Sequence, residues 1–457
     1  MKFSNPKQLW IRGATATLIL GSAILFSGSH PGSQSILLSR SDARPELRFI
    51  QVQAADQRRR SQIVNLGMSI EFVRSDSVWG FATTQAIRQF ESSGFSVLGV
   101  FDPAMGRGGH MGSLDFPAQD ARFRNNTEML AFLKNLNMKH ADITRIVSIG
   151  KSFGGKDIWA LQINSTPEAL MDGLSQKPGI VYMGSHHARE HVSSELPAHF
   201  AEYLLKNRQD PKIANLIDTR DIWIIPTVNP DGKEYDIENG NYRFWRKNRR
   251  DNKDGTFGVD LNRNYGYQWG TGGSSKNPND DTYMGLSPFS EPETIAIKDF
   301  VEARSNLKVL LSFHTFSELI LYPWGHTDNP IANPRDRQVF ETMAKTMSKW
   351  NGYKPEQSSD LYIASGDTTD WAYGTKGIFA FTFELSPSGG GFGGAGGFYP
   401  GTTVLDKVLK DNIEPCLYLL DLADDPYRVL NGPTAYLPNI IQPSVSPDKI
   451  WSRGIQL

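Results

Sequence analysis

The sequence predicts an α/β protein preceded by a small ferredoxin-like α+β unit. Three observations carry this. From about residue 121 onward, short apolar runs rich in β-branched and aromatic residues alternate with longer helical stretches. Before that, residues 47–101 read as strands and helices in the order β-α-β-β-α-β. Between the two lies "DPAMGRGGHMGSLDFPAQD", residues 102–120, which is rich in Gly and Pro and has no periodicity.

At 457 residues the chain can hold a sizeable core and one smaller domain. Residues 1–33 read as an export signal: Lys2, Lys7 and Arg12 precede an apolar run from Ala14 to Phe26. That run is too short for a comfortable membrane span, and no cysteine follows it closely, which disfavours a lipid-attached form. A secreted or periplasmic protein without a stable span after signal removal is expected. Residues 34–46 read as a polar linker. In the ferredoxin-like unit, "LRFIQVQ" reads as a strand and "DQRRRSQIVNLG" as a helix ended by Gly67. "SIEFV" and "VWGFATT" read as two strands, "TTQAIRQFESSG" as a helix ended by Gly94, and "FSVLGVF" as the last strand. Residues 102–120 are expected to be an exposed linker open to proteolysis.

Residues 121–425 form the larger domain. "GIVYMGS" (179–185) reads as a buried strand leading to a helix through "SELPAHFAEYLLK". "DIWIIPTVNPDG" is a strand and a turn, and "SEPETIAIKDFVEAR" a helix opened by a Ser290-x-x-Glu293 capping box. "KVLLSFHTF" (308–316) and "GIFAFTFEL" (377–385) are strands. Residues 426–457 are Pro-rich and read as an extended tail. Net charge is −1 with no basic block, which argues against nucleic acid as a partner. Cys416 is the single cysteine, so neither an internal disulfide nor a thiolate zinc site can form; within "PCLYLLDLA" it reads as a small core residue.

Chemistry gathers at strand ends. "GSHHARE" (184–190) follows one strand and is itself followed by His191; His314 sits near the end of another, and Glu384 ends a third. In open α/β sheets ligands collect at the carboxyl ends of strands. Zinc takes imidazole and carboxylate donors, with three protein ligands and one open position in catalytic sites. The window allows two readings. His187-x-x-Glu190 supplies two ligands in one; in the other His187 and His191 both ligate and Glu190 is the base.

Six motifs in order, "HARE" (187–190), "FWRKNRR" (244–250), "GVDLNRNY" (258–265), "SFHTFSELILYPWG" (312–325), "YIASGDTTDW" (362–371) and "FTFEL" (381–385), resemble the series of the zinc metallocarboxypeptidases, the family of the pancreatic A and B enzymes. The resemblance covers about residues 121–425 and implies a mixed central sheet covered by helices, with residues 47–101 as a prodomain. It implies one zinc held by His187, Glu190 and His314, with Asp260 fixing the His187 ring. Glu384 would be the general base and Arg246 the group that stabilises the oxyanion. Asn262, Arg263 and Tyr362 would bind the substrate's terminal carboxylate, and Arg189 would line a neighbouring subsite. On this pattern His191 is a non-ligand facing the following helix, and His186 a packing or hydrogen-bonding residue.

The chain also departs from the family. Phe316 stands where the pancreatic enzymes carry Tyr, the family's disulfides are absent, and Ser386–Pro387 is a candidate cis peptide. "DNKDGT" (251–256) offers oxygens for calcium, but its spacing is not that of an EF-hand and a polar turn is the better reading. The residue seven positions after Tyr362, at the base of the family's specificity pocket, is Thr369, and two positions earlier lies Asp367. An acid beside a small uncharged residue implies release of both basic and apolar C-terminal residues, unless Asp367 only caps the turn that follows. Expected partners are peptide or protein C-termini, acted on by a monomer. A cell-wall peptidase of the same fold would not need the whole Asn262/Arg263/Tyr362 anchor. A non-enzymatic binding module would not need Glu384.

Overall fold

The structure, a computed structural model, describes residues 46–101, 116, 120–166, 168–169, 175–240, 242–389 and 395–431. The export signal (1–33) and all but the last residue of the following linker lie outside them. So does most of 102–120 and most of the expected tail.

The N-terminal unit runs β1 (Leu47–Gln53), α1 (Gln57–Asn65), β2 (Ser69–Val73), β3 (Ser77–Thr83), α2 (Thr84–Ser92) and β4 (Val97–Phe101), as the sequence predicts. Its sheet has the order β2-β3-β1-β4 with every pair antiparallel. Asp56 caps α1 by accepting from the Arg59 amide, and Thr83 caps α2 by accepting from the Ala86 amide. Gly67, with φ +103°, and Gly94, with φ +81°, take the left-handed conformations that end the two helices. Ile63, Val64 and Phe90 pack on Ile50, Val52, Ile70 and Val78 to make its core.

The larger domain continues with α3 (Asn126–Lys139), β5 (Thr144–Lys151), β6 (Asp157–Ile163), β7 (Gly179–Gly184), α4 (His191–Lys206), α5 (Pro211–Thr219), β8 (Asp221–Ile225) and α6 (Pro230–Ile237). Then come α7 (Pro292–Glu302), β9 (Leu307–Thr315), β10 (Leu319–Tyr322), α8 (Pro334–Asn351), β11 (Lys354–Gln357), α9 (Thr368–Lys376), β12 (Phe379–Leu385) and α10 (Thr403–Leu422). The strands form one mixed sheet of order β11-β10-β12-β9-β7-β8-β6-β5. Its middle, β12-β9-β7-β8, is parallel, so the carboxyl ends of these strands share an edge. Every residue of β7 is buried, as a strand covered on both faces must be. Ile180 and Tyr182 pack into the apolar cluster on one face, with Leu196 and Phe200 of α4. Val181 and Met183 pack into the other, with Ile297 of α7 and Trp371 of α9. The chain moves from β7 to β8 on one side and resumes at β9 on the other. The resulting crevice between β7 and β9 is where such sheets bind ligands.

Three local expectations are corrected. The Ser290-x-x-Glu293 box does not cap α7. The helix starts at Pro292 with Glu291 at the N-cap position and no side-chain cap bond. Glu293 instead accepts from the Phe153 amide (2.9 Å) and Asn248 Nδ2 (3.0 Å). Within the segment expected to be an exposed linker, Phe116 and Asp120 are buried; Phe116 packs edge-on to His191 at 4.9 Å, and Asp120 accepts from the Tyr242 hydroxyl at 2.6 Å. The first residues of the expected extended tail, Pro426–Leu430, instead form a 3-10 turn, with Tyr427 donating to Asp336 at 2.5 Å. Ser386–Pro387 is cis, and Cys416 is a buried core residue.

Candidate active site at the carboxyl ends of the central strands

β7 ends at Gly184, and the chain turns back at once into α4. A side chain at Gly184 would lie 2.0 Å from the Ser193 carbonyl oxygen, so only glycine allows so close a return. The turn carries His187 and Glu190. His314, the last residue but one of β9, comes from the neighbouring strand, and Glu384 of β12 pairs directly with His314 in parallel register.

His187 Nδ1 lies 2.7 Å from Glu190 Oε1, and His314 Nδ1 lies 3.1 Å from both His187 Nδ1 and Glu190 Oε2. All three side chains are buried, and each offers a donor atom within 4.8 Å of the others. The outer ring nitrogens are engaged elsewhere: His187 Nε2 with Asp260 Oδ1 (3.1 Å) and His314 Nε2 with Ser312 Oγ (3.1 Å). With Asp260 accepting from His187 Nε2–H, a nitrogen lone pair and a carboxylate face each other in a dry crevice. That is repulsive without a cation between them, and it suits zinc, which takes such donors and such carboxylate-oriented rings. Burial alone would raise the Glu190 carboxyl, but positive charge at the facing rings, whose place a bound metal ion would take, holds it well below the usual range. Burial lowers His314.

Asp260 joins the donors to the rest of the cleft. Its Oδ2 accepts from Arg246 Nε at 3.0 Å, and its Oδ1 also accepts from the Asn262 amide at 3.0 Å. Burial opposes its charge, yet Arg246 and His187 hold the carboxyl well below its ordinary value. The Asn262 bond starts the 3-10 turn Leu261–Arg263 and so aims Asn262 and Arg263 at the cleft. Arg246 is tied to the donor turn by the Ala188 amide, which donates to the Arg246 carbonyl at 3.0 Å. Burial opposes the Arg246 charge, but Asp260, Glu71 and Glu190 reinforce it. Asn262 Oδ1 accepts from Thr368 N (3.0 Å) and Thr368 Oγ1 (2.9 Å), which leaves its amide hydrogens to donate. Burial, then Glu190 and Glu71, push the Glu384 carboxyl well above the usual range.

These groups line a cleft of about 480 Å³, which also takes in Tyr362, Asp367 and Thr369. Asp367 has two aspects. Oδ1 caps α9, accepting from Thr369 N and Asp370 N, both at 2.9 Å, and from Thr369 Oγ1 at 2.5 Å. Oδ2 is buried without any hydrogen-bond partner.

Of the sequence-predicted residues, Asp260 lies behind the donors it orients, and Arg189, expected to line a subsite, is not at the cleft. It is fully buried, bonded to Glu71 Oε1 (2.6 Å) and Asp281 Oδ2 (2.7 Å), and flanked by the Phe81 and Phe398 rings, each 4.6 Å away. Glu71, in β2 of the N-terminal unit, was missed. Its only sequence signal is a single charge within an apolar strand. The same unit walls one side of the cleft with Ile70, Glu71 and Phe72. Arg60 donates to the carbonyls of Asp360 and Leu361, at 2.8 and 2.5 Å, and Tyr362 Oη reaches the Ile70 carbonyl at 3.5 Å. Phe316 packs on Phe72 and Phe398.

His191 takes no part in the donor set. Its Nε2 meets Asp236 Oδ2 at 2.8 Å, so it faces α6 and an aromatic group of Phe116, Tyr242 and Tyr399, not the helix that follows. His186 bonds Tyr265 Oη at 2.9 Å. In the 251–256 turn, Lys253 Nζ neutralises Asp251 at 2.8 Å and Asp254 accepts from Thr256, so the oxygens that calcium would need are already engaged.

Residues 129–415 match the family model described as zinc carboxypeptidase. A zinc carboxypeptidase of Saccharothrix mutabilis subsp. capreolus is 33% identical over 404 residues, covering 84% of this chain and 91% of that protein. Human carboxypeptidase A5 is 34% identical over 269 residues, or 57% of this chain and 59% of that one. Among solved structures, carboxypeptidase A from Helicoverpa armigera superposes with a TM-score of 0.67 at 24% identity, covering 84% of this chain and 98% of that one, a likeness of fold. With the family model spanning most of its length, and a relative at one-third identity that it nearly fills, this chain belongs to the zinc carboxypeptidase family and is a zinc-dependent peptide hydrolase.

Proposed function

We propose that the enzyme releases single C-terminal residues from peptides and proteins, both apolar and basic ones, and disfavours Asp and Glu. The observation that carries this reading is the meeting of the donor set His187, Glu190 and His314 with Glu384, Arg246 and Arg263 around one cleft. Zinc held by those donors would supply a Lewis acid that polarises the scissile carbonyl and makes an attacking water more acidic. Glu384, paired with His314 in the sheet, would take the water's proton and hand it to the leaving amine. Arg246, kept charged by Asp260, would meet the negative charge that develops on the carbonyl oxygen. Arg263, Asn262 and Tyr362 would grip the terminal carboxylate, since guanidinium offers the charge-assisted bonds a chain end needs.

Thr369 would form the base of the side-chain pocket and Asp367 part of its wall. The capping role weighed against this does not exclude it, because one oxygen caps α9 and the other has no partner. A cationic side chain would supply that partner. Thr369 leaves room for apolar ones.

Residues 47–101 would act as an inhibitory prodomain, as their contacts with Arg189, Leu361 and Tyr362 suggest. Removal by a cut between Asp102 and Arg124 would open the cleft and return Arg189 to a subsite role. Export and a monomeric state remain part of this reading, the first from the charged-then-apolar pattern of residues 1–33.

The test is a pair of peptides differing only in a free or amidated C-terminus, given to the zinc-loaded chain before and after limited proteolysis. Release of the last residue from the free peptide alone, abolished by a chelator, is the expected result. Internal cleavage, or equal cleavage of both, would reject the reading.

A further inference from the structure

We propose that ionisation of Asp367 selects between the two substrate classes: the neutral carboxyl admits apolar C-terminal residues, and the carboxylate draws in Lys and Arg. This rests on the reading of Asp367 as part of the specificity pocket.

The geometry begins with an imbalance between two oxygens. Oδ1 of Asp367 accepts three hydrogen bonds, two from backbone amides at the start of α9. Oδ2 accepts none, although the residue is only 7% exposed. Beside it the backbone of Gly325 comes so close that a Cβ there would sit 3.1 Å from Oδ2. One turn along α9 lies a second buried carboxyl, Asp370. It accepts from Gly325 N (2.9 Å) and His326 N (3.0 Å), and meets His326 Nδ1 at 2.7 Å. Arg263 is the cation that faces Asp367, but its Nε and Nη1 already donate to the carbonyls of Gly273 and Asn262. The Tyr265 phenol is bonded to His186.

A negative oxygen buried without a donor, beside a second carboxylate, is costly. Before a substrate binds, the carboxyl therefore holds its proton to an unusual pH. Burial first, then the charge of Asp370, carry it to about 7. An apolar side chain entering the pocket meets a neutral wall. A guanidinium or ammonium brings the missing donor and the opposite charge. The donors at the metal end of the cleft are shared by both substrates and do not discriminate.

The consequence is a specificity that changes with pH. The value of kcat/KM reports groups of the free enzyme, and the substrate's arginine stays charged throughout. The ratio of kcat/KM for matched peptides ending in Arg and in Phe cancels the titrations common to both, including any at Glu384. It should rise about 30-fold between about pH 5.5 and 8.5, with its midpoint near Asp367's own. The measurement uses the zinc-loaded full chain after limited proteolysis. Asp367→Asn preserves the cap, because Asn serves that position as well as Asp, and should leave the ratio flat and low. Asp370→Asn should move the step to lower pH. A flat ratio in the unaltered enzyme, or a step that survives in Asp367→Asn, overturns the inference. A step unmoved in a folded Asp370→Asn protein overturns the role given to that neighbour. An enzyme that never releases Arg at any pH rejects instead the dual specificity on which the inference rests.

Discussion

Glu190 and Asp367 are both buried acids lining one cleft, yet their surroundings differ in kind. Glu190 lies between His187 and His314, receives the Thr315 amide, and sits 3.8 Å from Arg246. Its neighbour Asp260 is likewise held by Arg246 and His187. Asp367 meets donors on one oxygen only. Carboxylates that must keep their charge in a dry site are supplied with partners by the fold. Asp367 keeps an acceptor without a partner, and its burial raises its proton affinity; on the proposed specificity an incoming cation would fill that acceptor.

Asp367→Ala breaks the pocket half of that contrast and should have the largest selective effect. Removing a partner leaves a buried cation unpaired, at a cost of roughly 2–5 kcal/mol. Release of C-terminal Arg should then fall about 30-fold or more in kcat/KM, with that of Phe changing little. Equal losses on matched peptides would make Asp367 a structural cap alone.

Glu71→Gln probes the contact that the N-terminal unit makes with Arg189. Losing a charge-assisted bond of about 1.5–3 kcal/mol should raise the activity of the uncut chain about tenfold and leave the trimmed enzyme as it was. An uncut variant no more active than the parent would remove this contact from the inhibitory role.

His191→Ala sharpens the contrast from outside the donor set. Asp236 keeps the Trp245 amide and the Tyr399 hydroxyl, so the loss should be about 1–3 kcal/mol of stability, read as a lower denaturant midpoint. Zinc content should not change.

Much of this was legible in the sequence because strand ends and motif order constrain each other. "HARE" after "GIVYMG" and His314 and Glu384 near the ends of apolar runs could reach one edge only if those strands were parallel, as they are. The β-α-β-β-α-β unit was legible because its short apolar runs and its terminating glycines, Gly67 and Gly94, are local signals. What escaped depends on contacts between distant segments. Nothing near Glu71 announces that its carboxylate meets Arg189, 118 residues on. Ser290-x-x-Glu293 looks like a capping box, but the remote Phe153 amide and Asn248 compete for Glu293 and win. Phe116 sits in a Gly- and Pro-rich stretch and is still buried, because His191 and Phe123 offer it an aromatic seat. That one oxygen of Asp367 caps α9 while the other has no partner was out of reach, since sequence spacing cannot tell two oxygens of one side chain apart.

In the proposed mechanism His187, Glu190 and His314 hold the zinc while Glu384 moves the proton. Metal analysis and peptidase assays on three purified proteins, the parent, His314→Ala and Glu384→Gln, test it most directly. The parent should hold one zinc per chain and be active, His314→Ala should show neither, and Glu384→Gln should hold one zinc without activity. A folded His314→Ala protein that keeps its zinc, or a Glu384→Gln protein that keeps its activity, would contradict it.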